Sequence, residues 1–372
     1  MNLSSEQSTH TAIGFGLRRH VKQLTLDVNY VFIATEIAYE LIDLFVSQFK
    51  LAPTGNDFKT FSFDDLATLF QILSASDARH QELNTLLKTL IELGRPQSVY
   101  GQSDYVLYLL RDGKAVVSTP EEAYFKLHLI SHRHVQPHGV NLDGAFKVLQ
   151  NCAWSNIGPI LVDDLPQERL KALVKGAPLV ISHVDKFPYL VNYHVPSGVR
   201  IAAGSQVRLG AYLGEGTTVM PAGYVNFNAG TAGQAMVEGR VSAGVFVGDK
   251  TDIGGGASIM GTLSGGNKHV ISLGRECLLG ANAGTGISLG DGCTIAAGVY
   301  ITAGTKVSLY NHQSQPVDLQ NQVVSEGQNI VKALELDGRS HLLFYQDSQN
   351  GKVICKPNPR TIELNSDLHK HN

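Results

Sequence analysis

Residues 289–307 read Leu289-Gly-Asp-Gly-Cys-Thr-Ile-Ala-Ala-Gly-Val-Tyr-Ile-Thr-Ala-Gly-Thr-Lys-Val307, with an aliphatic side chain at every sixth position. A period of six is neither the 3.6 of an α-helix nor the 2 of a β-strand. Small residues follow the aliphatic one, as in Ile295-Ala-Ala-Gly, which suits a short strand and a tight turn. The stretch therefore predicts the coils of a parallel β-helix.

The same period continues towards the N-terminus. The predicted inward positions are Ile201, Val207, Leu213, Val219 and Val225, then Val241, Val247, Ile253, Ile259 and Ile271, and finally Leu289, Ile295, Ile301 and Val307. One repeat cannot bury its apolar face alone, so the coils must stack. Proline is absent from residues 222–315, as expected where backbone donors are used in ladders. A Gly-rich linker is the alternative, but linkers lack a regular aliphatic register.

The register breaks once. After Val225 the phase runs through Thr231 and Val237, and it restarts at Val241, four residues out of step. We therefore predict that residues 226–240 leave the coil as a loop, where function often concentrates. Residues 260–270 interrupt the repeat without changing its phase, and they are interpreted as a local bulge or a loop.

Composition limits the classes of function. The 372 residues are 43% hydrophobic and 17% charged, with a formal net charge of -3 and no basic run, which argues against a nucleic-acid partner. No apolar stretch reaches about 18 residues, and the first residues do not resemble a signal peptide. We expect no membrane partner and a cytoplasmic location. The four cysteines are dispersed and predict neither a disulfide framework nor a zinc site.

The flanks of the coil predict two further regions. Residues 1–185 are interpreted as an N-terminal α/β domain, with helical spacing over residues 30–51, 63–93 and 162–175 and a strand over 105–110. The β-helix domain is assigned to residues 186–310. Residues 311–372 predict a short C-terminal β segment with strands over 340–345 and 351–355, and a frayed tail over 365–372.

Three motifs carry a resemblance to a known family. Met236-Val-Glu-Gly-Arg240, the Gly-rich stretch 254–266 and Cys277-Leu-Leu-Gly-Ala-Asn282 resemble the tetrahydrodipicolinate N-succinyltransferases, in their long, actinobacterial-like branch. Segments 128–133, 137–146, 185–188, 196–200 and 342–344 are also similar, so the resemblance covers roughly residues 125 to 368. It implies a mixed fold: a left-handed parallel β-helix with flanking domains, assembled as a homotrimer with active sites between neighbouring subunits.

The resemblance also implies an activity. Members transfer a succinyl group from succinyl-CoA, a co-substrate, to tetrahydrodipicolinate, giving N-succinyl-2-amino-6-oxopimelate in the diaminopimelate and lysine pathway. One alternative is a related hexapeptide acyltransferase that uses acetyl-CoA or another amine acceptor. A γ-class carbonic anhydrase would need three histidines on the coil surface, and residues 201–307 contain only His269.

Site residues follow from the matching positions. Glu238 matches the catalytic glutamate, acting either as a general base or as a nucleophile that forms an acyl anhydride. Arg240 matches a residue that contacts succinyl-CoA, although it could instead form a structural salt bridge. The other predicted succinyl-CoA positions are Gly255, Ser258, Ala281, Ala296, Ala297, Gly304, Lys332, Tyr345, Gln346, Asp347 and Ser348.

Several of these positions have open alternatives. The small residues could be turn residues, and Lys332 could be an exposed lysine. Ala296-Ala297 stands where relatives have an acidic residue before alanine, and Tyr345-Gln-Asp-Ser348 replaces a polar, basic segment, so the side chains at these positions differ from those of the family. Arg200 and Arg208 are candidates for binding the substrate carboxylates.

No metal is expected. Some relatives bind magnesium on the trimer axis through an Asp and a Glu, at positions occupied here by Ser205 and Ala222, neither of which is a carboxylate. The dense histidines of residues 128–138 allow a zinc interpretation. A structural or substrate-facing role is favoured because the resembling family, which has no zinc there, shares that stretch. These histidines are His128, His132, His134 and His138.

Overall fold

The computed structural model describes residues 11–35, 39–75, 81–202, 206–263 and 269–359. They fall into two compact units. The first contains residues up to 129 and residues 139–188, and the second contains residues 130–138 and those from 189 onwards. The three domains proposed from the sequence, with boundaries after residues 185 and 310, stay a prediction.

The first unit is built on an antiparallel sheet in the order β2-β1-β4-β3. Its core joins Phe15 and Leu107 of the sheet to Phe45, Leu69 and Leu87 of three helices, all buried. A smaller antiparallel sheet has the order β6-β5-β7. The elements are β1 (Ala12–Val21), β2 (Leu24–Ala34), α1 (Tyr39–Phe49), β3 (Asp57–Phe61), α2 (Leu66–Ser74), α3 (Gln81–Leu93), β4 (Gln102–Leu110), α4 (Pro120–Ser131), α5 (Ala145–Val148), β5 (Cys152–Ser155), β6 (Gly158–Leu161), α6 (Leu165–Val174) and β7 (Ile181–Asp185).

The helix predicted over residues 30–51 is wrong in its first part. Tyr30 belongs to β2, which pairs with β1 along its length, and the helix α1 is Tyr39–Phe49. The alternation of Leu26, Val28 and Tyr30, all buried, is a strand period that begins before Tyr30. The helices over 63–93 and 162–175 and the strand over 105–110 are confirmed by α2, α3, α6 and β4, with residues 76–80 outside the described part.

The second unit is a parallel β-helix with three sheets. The first contains β8, β10, β13, β16, β19 and β21, the second β11, β14, β17, β20 and β22, and the third β9, β12, β15 and β18. The strands are β8 (Arg200–Ile201), β9 (Tyr212–Leu213), β10 (Thr217–Val219), β11 (Tyr224–Val225), β12 (Gly230–Thr231), β13 (Ala235–Val237), β14 (Arg240–Val241), β15 (Phe246–Val247), β16 (Asp252–Ile253), β17 (Ser258–Ile259), β18 (Ser272–Leu273), β19 (Leu278–Leu279), β20 (Gly284–Thr285), β21 (Thr294–Ile295) and β22 (Tyr300–Ile301).

Inward ladders hold the coils together, as the period of six predicts. Val219 pairs with Ile201 and Val237, and further down the same sheet Ile253 pairs with Leu279. Nearly all these side chains are fully buried, and each contributes roughly 1.5–3 kcal/mol. The core of this unit therefore runs along the axis of the coil.

The loop predicted over residues 226–240 is wrong. Residues 230–231 and 235–237 are β12 and β13, two strands of the coil. Thr231 occupies an inward position between Leu213 and Val247, where a hydroxyl replaces the expected aliphatic group. The phase changes because the next corner is short: Val241 follows Val237 by four positions instead of six.

The interruption at residues 260–270 is described only at its two ends. Thr262 and Val270 form an antiparallel bridge, and residues 264–268 lie outside the described part. The ladder resumes at Leu273, which pairs with Val247. Ile271 is buried but lies two residues before the ladder position, so its predicted place in the register is corrected.

The C-terminal β segment confirms both predicted strands. After the last coil come β23 (Lys306–Leu309), β24 (Ile330–Lys332), β25 (Leu342–Gln346) and β26 (Val353–Pro357). β25 adds to the first sheet, parallel to β21, through the pair Ile295 and Phe344. The predicted tail over 365–372 lies outside the described residues. Among the helices described, none is long and apolar enough to cross a membrane.

Candidate functional site

Glu238 lies at the short corner between the first and second sheets. Its backbone N–H donates to the Ile253 carbonyl at 2.8 Å, and its carbonyl accepts from the Gly256 N–H at 3.2 Å. The main chain is therefore fixed from the coil below, while the side chain is half-buried. This arrangement presents a carboxylate from a hydrogen-bonded corner of the coil, not from the loop outside the coil that the sequence predicted.

Small residues line the same corner in the next coils. A Cβ atom added to Gly255 would lie 3.5 Å from Oε2 of Glu238. The Asn282 N–H donates to the Gly255 carbonyl and the Gly298 N–H to the Ala281 carbonyl, each at 2.9 Å. These bonds align Gly255 and Ala281 with Ala296-Ala297, and we call this line of residues the corner row.

Arg240 and Ser258 are neighbours on the outer side of the second sheet. Arg240 of β14 pairs with Ser258 of β17, which pairs with Gly284 of β20. Tyr224 precedes this line and Tyr300 ends it. The structure thus places a guanidinium and a hydroxyl beside the corner of Glu238, on adjacent strands about 4.8 Å apart.

Residues 345–348 follow the corner row at its C-terminal end. The Ala296 N–H donates to the Phe344 carbonyl at 2.8 Å, which places Tyr345 and Gln346 next to Ala296. Asp347 and Ser348 form the following turn, where Oδ1 of Asp347 accepts from the Gln349 N–H at 2.9 Å.

Gly304 and Lys332 form a separate group. The segment after Lys332 is bonded to the corner of Gly304, since the Leu334 N–H donates to the Ala303 carbonyl at 3.1 Å and the Ala333 N–H to the Thr305 carbonyl at 2.8 Å. Lys332 itself is exposed and pairs with Lys306 across β24 and β23. The predicted site residues therefore occupy one corner of the coil and its C-terminal end.

Three residues that lie in line with Arg240 and Ser258 were not predicted from the sequence: Tyr224, Gly284 and Tyr300. Each directly precedes an inward residue of the second sheet, as Arg240 and Ser258 do. The residue directly before each inward residue could have been read from the sequence as a site position. That reading requires knowing which residues of the second sheet point inward. The ring of Tyr300 lies against Gly284, where a Cβ atom would overlap it.

The clustered histidines have structural contacts. His128 donates from Nδ1 to the Tyr124 carbonyl at 2.8 Å, and His138 donates from Nε2 to the Gly244 carbonyl at 2.8 Å. His132 stacks on His194 with ring centroids 3.7 Å apart. Burial lowers the pKa of His134 and of His194, and Arg133 lowers that of His194 further.

Metal ligands are not gathered in the described part of the chain, where no group of three or more His, Cys, Asp or Glu side chains could hold an ion. Ala222 is exposed at a turn, and Ser205 lies outside the described residues. The expected absence of a metal stays a prediction.

Curated proteins resemble the chain over most of its length. It is 52% identical over 319 residues to a 2,3,4,5-tetrahydropyridine-2,6-dicarboxylate N-succinyltransferase of Pseudomonas paraeruginosa, covering 86% of each chain. The chain belongs to the tetrahydrodipicolinate N-succinyltransferase family. The enzyme of that name from Pseudomonas putida is 51% identical over 318 residues and 86% of each chain, and that from Vibrio cholerae is 55% identical over 251 residues, 68% of this chain and 70% of the relative.

Two family models and a solved structure agree with this assignment. Residues 149–189 match the tetrahydrodipicolinate N-succinyltransferase middle region, and residues 270–303 match the hexapeptide repeat of succinyl-transferase. A crystal structure from Campylobacter jejuni, provisionally identified as a 2,3,4,5-tetrahydropyridine-2-carboxylate N-succinyltransferase, superimposes with a TM-score of 0.80. It is 32% identical and covers 97% of this chain and 96% of its own. The resemblance and the left-handed β-helix fold are thus confirmed.

Proposed function

We propose that succinyl transfer takes place at the corner that carries Glu238. By its family, the chain is an acyltransferase that moves a succinyl group from succinyl-CoA to tetrahydrodipicolinate in the lysine and diaminopimelate pathway. The observation that supports this site is the Glu238 carboxylate, which stands over Gly255 beside the line of Arg240 and Ser258. The corner row offers a surface without bulky side chains, along which the thioester end of an extended pantetheine chain can lie.

Acyl transfer from a thioester requires a proton acceptor. Water adds to the C=N bond of tetrahydrodipicolinate and opens the ring, which gives a 6-oxo group and a free amine. The amine nitrogen then attacks the thioester carbonyl carbon, the C–S bond breaks, and the amine gives up a proton. In the general-base route Glu238 takes that proton, and the departing thiolate of CoA is then protonated. In the anhydride route a Glu238 oxygen attacks the thioester carbonyl carbon first and the CoA thiolate leaves. The amine then attacks the anhydride, the Glu238 carboxylate is released, and the amine proton passes to the thiolate or to solvent.

Arg240 supplies positive charge beside the reacting group. A guanidinium binds a carboxylate through two parallel N–H donors, and succinyl-CoA carries a carboxylate that acetyl-CoA lacks. We propose that Arg240 binds this carboxylate and that Ser258, on the adjacent strand, contacts the donor near the thioester. The other proposed succinyl-CoA contacts are Gly255, Ala281, Ala296, Ala297, Gly304, Lys332, Tyr345, Gln346, Asp347 and Ser348.

A homotrimer with sites between neighbouring subunits completes the proposal. Hexapeptide-repeat transferases are typically oligomeric. Arg240 is exposed on the outer side of the second sheet, so a second subunit can supply the opposite wall of the site. We also infer a cytoplasmic location, because CoA thioesters are cytoplasmic metabolites. Sedimentation at several protein concentrations tests the trimer.

Thiol release measures the activity directly. Succinyl-CoA and acetyl-CoA are each supplied with tetrahydrodipicolinate to the wild type, to Glu238→Gln and to Glu215→Gln, an exposed glutamate elsewhere on the coil. We expect turnover with succinyl-CoA that falls about 10²- to 10⁴-fold in Glu238→Gln and is unchanged in Glu215→Gln. Preference for acetyl-CoA would favour the alternative acyltransferase, and full activity of Glu238→Gln would exclude Glu238 from the reaction.

Isotope exchange separates the two routes. Labelled CoA is incubated with succinyl-CoA and the enzyme in the absence of the acceptor. Exchange of the label into succinyl-CoA requires an acyl-enzyme, so it occurs only in the anhydride route. Its absence, with turnover intact, favours Glu238 as a general base.

A further inference from the structure

The side chain of Arg208 reaches across one strand of the second sheet. Its backbone belongs to the coil before β11, because Val207 bridges to Val225. Its guanidinium nevertheless lies over β11: the Cζ atom is 5.9 Å from the centre of the Tyr224 ring, and Nη1 donates to Oδ1 of Asn226 at 3.0 Å. Tyr224 and Asn226 flank the inward Val225, so both stand on the outer side of the sheet.

These two contacts orient the guanidinium. An aromatic face attracts a cation that lies within about 6 Å of the ring centroid. The Asn226 amide is itself held in place, since its Oδ1 also accepts from the Phe227 N–H at 2.9 Å. The ring and the amide are neutral, so they fix the cation without neutralising it. Arg208, Tyr224 and Asn226 are all half-buried, where a charge acts more strongly than in open water.

The guanidinium of Arg208 lies beside the proposed site. Tyr224 pairs with Arg240 of β14, the strand that follows the corner of Glu238. A group held over β11 therefore stands about 4.8 Å, one strand spacing, from β14. Arg200, the other arginine considered from the sequence, is on β8 of the first sheet, on the far side of that corner. Of these two arginines, Arg208 is the one that shares an outer face with Arg240.

The chemistry of the acceptor indicates which of its groups can reach this position. Ring-opened tetrahydrodipicolinate is a seven-carbon dicarboxylate. One carboxylate is on the carbon that carries the reacting amine, and the other is at the opposite end, beside the oxo group. The first must stay near Glu238 when the amine meets the thioester. Since the donor is placed along the corner row towards the C-terminal end, the second carboxylate has the N-terminal side, where it meets β11.

We propose that Arg208 binds the acceptor carboxylate that is farther from the reacting amine, and that Tyr224 and Asn226 are positioning residues for its guanidinium. This inference rests on the proposed function, because it assigns the acceptor end of the same site. A guanidinium binds a carboxylate through parallel N–H donors. With its far end held in this way, the acceptor chain directs its amine towards the thioester. Arg208 therefore selects acceptors with two carboxylates.

Two saturated amines that differ only at the far end test the assignment. 2-Aminopimelate has both carboxylates, and 2-aminoheptanoate has a methyl group in place of the distal one. Each is added as a competitor, and the product formed from tetrahydrodipicolinate is quantified by mass spectrometry. For the wild type we expect 2-aminopimelate to compete about 10- to 100-fold better, the effect of a charge-assisted hydrogen-bonded pair.

Removal of the guanidinium should abolish this preference. In Arg208→Gln the two amines should compete equally, and the KM of tetrahydrodipicolinate should rise about 10- to 100-fold. The KM of succinyl-CoA should not change, because the donor is bound elsewhere. Arg208→Lys, which keeps the charge but not the parallel donors, should recover part of the preference.

Variants of the positioning residues separate orientation of the guanidinium from a structural role. Tyr224→Leu should raise the KM of tetrahydrodipicolinate about 2- to 10-fold, and the ring in Tyr224→Phe should restore most of the affinity. Asn226→Asp keeps an oxygen acceptor for Arg208 and for the Phe227 N–H, so a purely structural role predicts no change in KM. A positioning role predicts a higher KM, because the new carboxylate neutralises the cation that the acceptor needs.

A matched control removes an exposed arginine elsewhere on the coil. Arg275 lies between β18 and β19, at the corner from the third sheet to the first. Arg275→Gln should leave the preference for 2-aminopimelate unchanged. Thermal melts of Arg208→Gln should match those of the wild type, and an equal rise in the KM values of both substrates would indicate damage to the site and contradict acceptor binding.

The outcomes distinguish this inference from the function on which it rests. An active wild type whose Arg208→Gln variant still prefers 2-aminopimelate would overturn the role of Arg208 alone. Loss of the preference in Arg200→Gln instead would place the distal carboxylate on the first sheet. An inactive wild type that binds 2-aminopimelate more tightly than 2-aminoheptanoate through Arg208, as measured by calorimetry, would overturn only the proposed reaction.

Discussion

Oε2 of Glu238 lies 3.5 Å from the point where a Cβ atom of Gly255 would stand. This is an ordinary van der Waals distance, so a methyl group fits there without displacing the backbone. It would, however, fill the space beside the carboxylate. Packing therefore does not require a glycine at position 255, and we propose that the glycine keeps the Glu238 carboxylate accessible.

Gly255→Ala should fold normally and lose activity. We expect a melting temperature close to that of the wild type, because the new methyl group meets no other atom within 4 Å. The value of kcat/KM for succinyl-CoA should fall on the order of 10-fold or more, because a small displacement of a reacting group greatly lowers the rate of the chemical step. Thermal melts and thiol-release kinetics measure the two quantities.

Gly254→Ala provides the contrast. A Cβ atom there would lie 2.6 Å from the Leu279 carbonyl oxygen and 2.9 Å from the Ala281 nitrogen, so two backbones must separate. Overpacking of this kind costs about 1–3 kcal/mol, and we expect a lower melting temperature. Equal loss of stability in both variants would show that Gly255 is a packing position.

Arg240→Gln should discriminate between acyl donors. If Arg240 binds the succinyl carboxylate, its removal raises the KM for succinyl-CoA about 10- to 100-fold, the loss expected for a charge-assisted hydrogen bond. The KM for acetyl-CoA, which lacks that carboxylate, should not change. A parallel loss with both donors would instead place the guanidinium on a group common to them.

The coil was predictable from the sequence because its inward residues are mostly aliphatic and evenly spaced. Thr231 is not aliphatic, so the pattern did not show it as an inward residue. The four-residue step from Val237 to Val241 was therefore interpreted as a loop. The sequence pattern cannot separate a short corner from an excursion, because both shift the phase. Strand β2 was missed for another reason: the aliphatic and aromatic residues after Tyr30 also fit a helical spacing.

The site was predictable only in part. A motif located Glu238 and Arg240, whereas the neighbours Tyr224 and Tyr300 depend on which residues pair between coils. Because the insertion between Ile259 and Leu273 and the short corners make the coils unequal in length, this pairing does not follow from a constant period. The pairing of Lys332 with Lys306 was not predicted, because β24 runs antiparallel to β23 and lies outside the repeat.

A buried pair of hydroxyl groups should show an asymmetric response to mutation. Oγ1 of Thr217 lies 2.7 Å from that of Thr231 and donates to the Gly233 carbonyl at 2.8 Å. Thr217→Val removes the partner of the buried Thr231 hydroxyl and of the part-buried Gly233 carbonyl, and it should lower the free energy of unfolding by about 1–3 kcal/mol. Thr231→Val leaves the bond to Gly233 intact and should change it by less than about 1 kcal/mol. Urea unfolding at one fixed protein concentration tests the order.

The second unit should lose stability in mild acid. The pKa values of His134 and His194 are lowered, chiefly by burial, so the unfolded chain binds protons that the folded chain does not. Stability is therefore full above about pH 6.5 and declines as the pH falls below it. His194 also lies against His132 and near Arg133, which further opposes its protonation. The urea midpoint should drop between pH 7.5 and pH 5.5, and less so in His194→Gln; an identical drop in that variant would exclude His194 as the source.

All four cysteines should be unreactive in the folded protein. Cys152, Cys277, Cys293 and Cys355 are free and at most 1% exposed. Burial raises the pKa of Cys152 and of Cys355 to about 12, so very little of either is the reactive thiolate at pH 8. We expect Ellman's reagent to titrate no thiol in the native protein and four after denaturation. Intermediate urea concentrations should release them together with the unfolding transition, and a thiol that reacts well before it would reveal local opening of the coil around that residue.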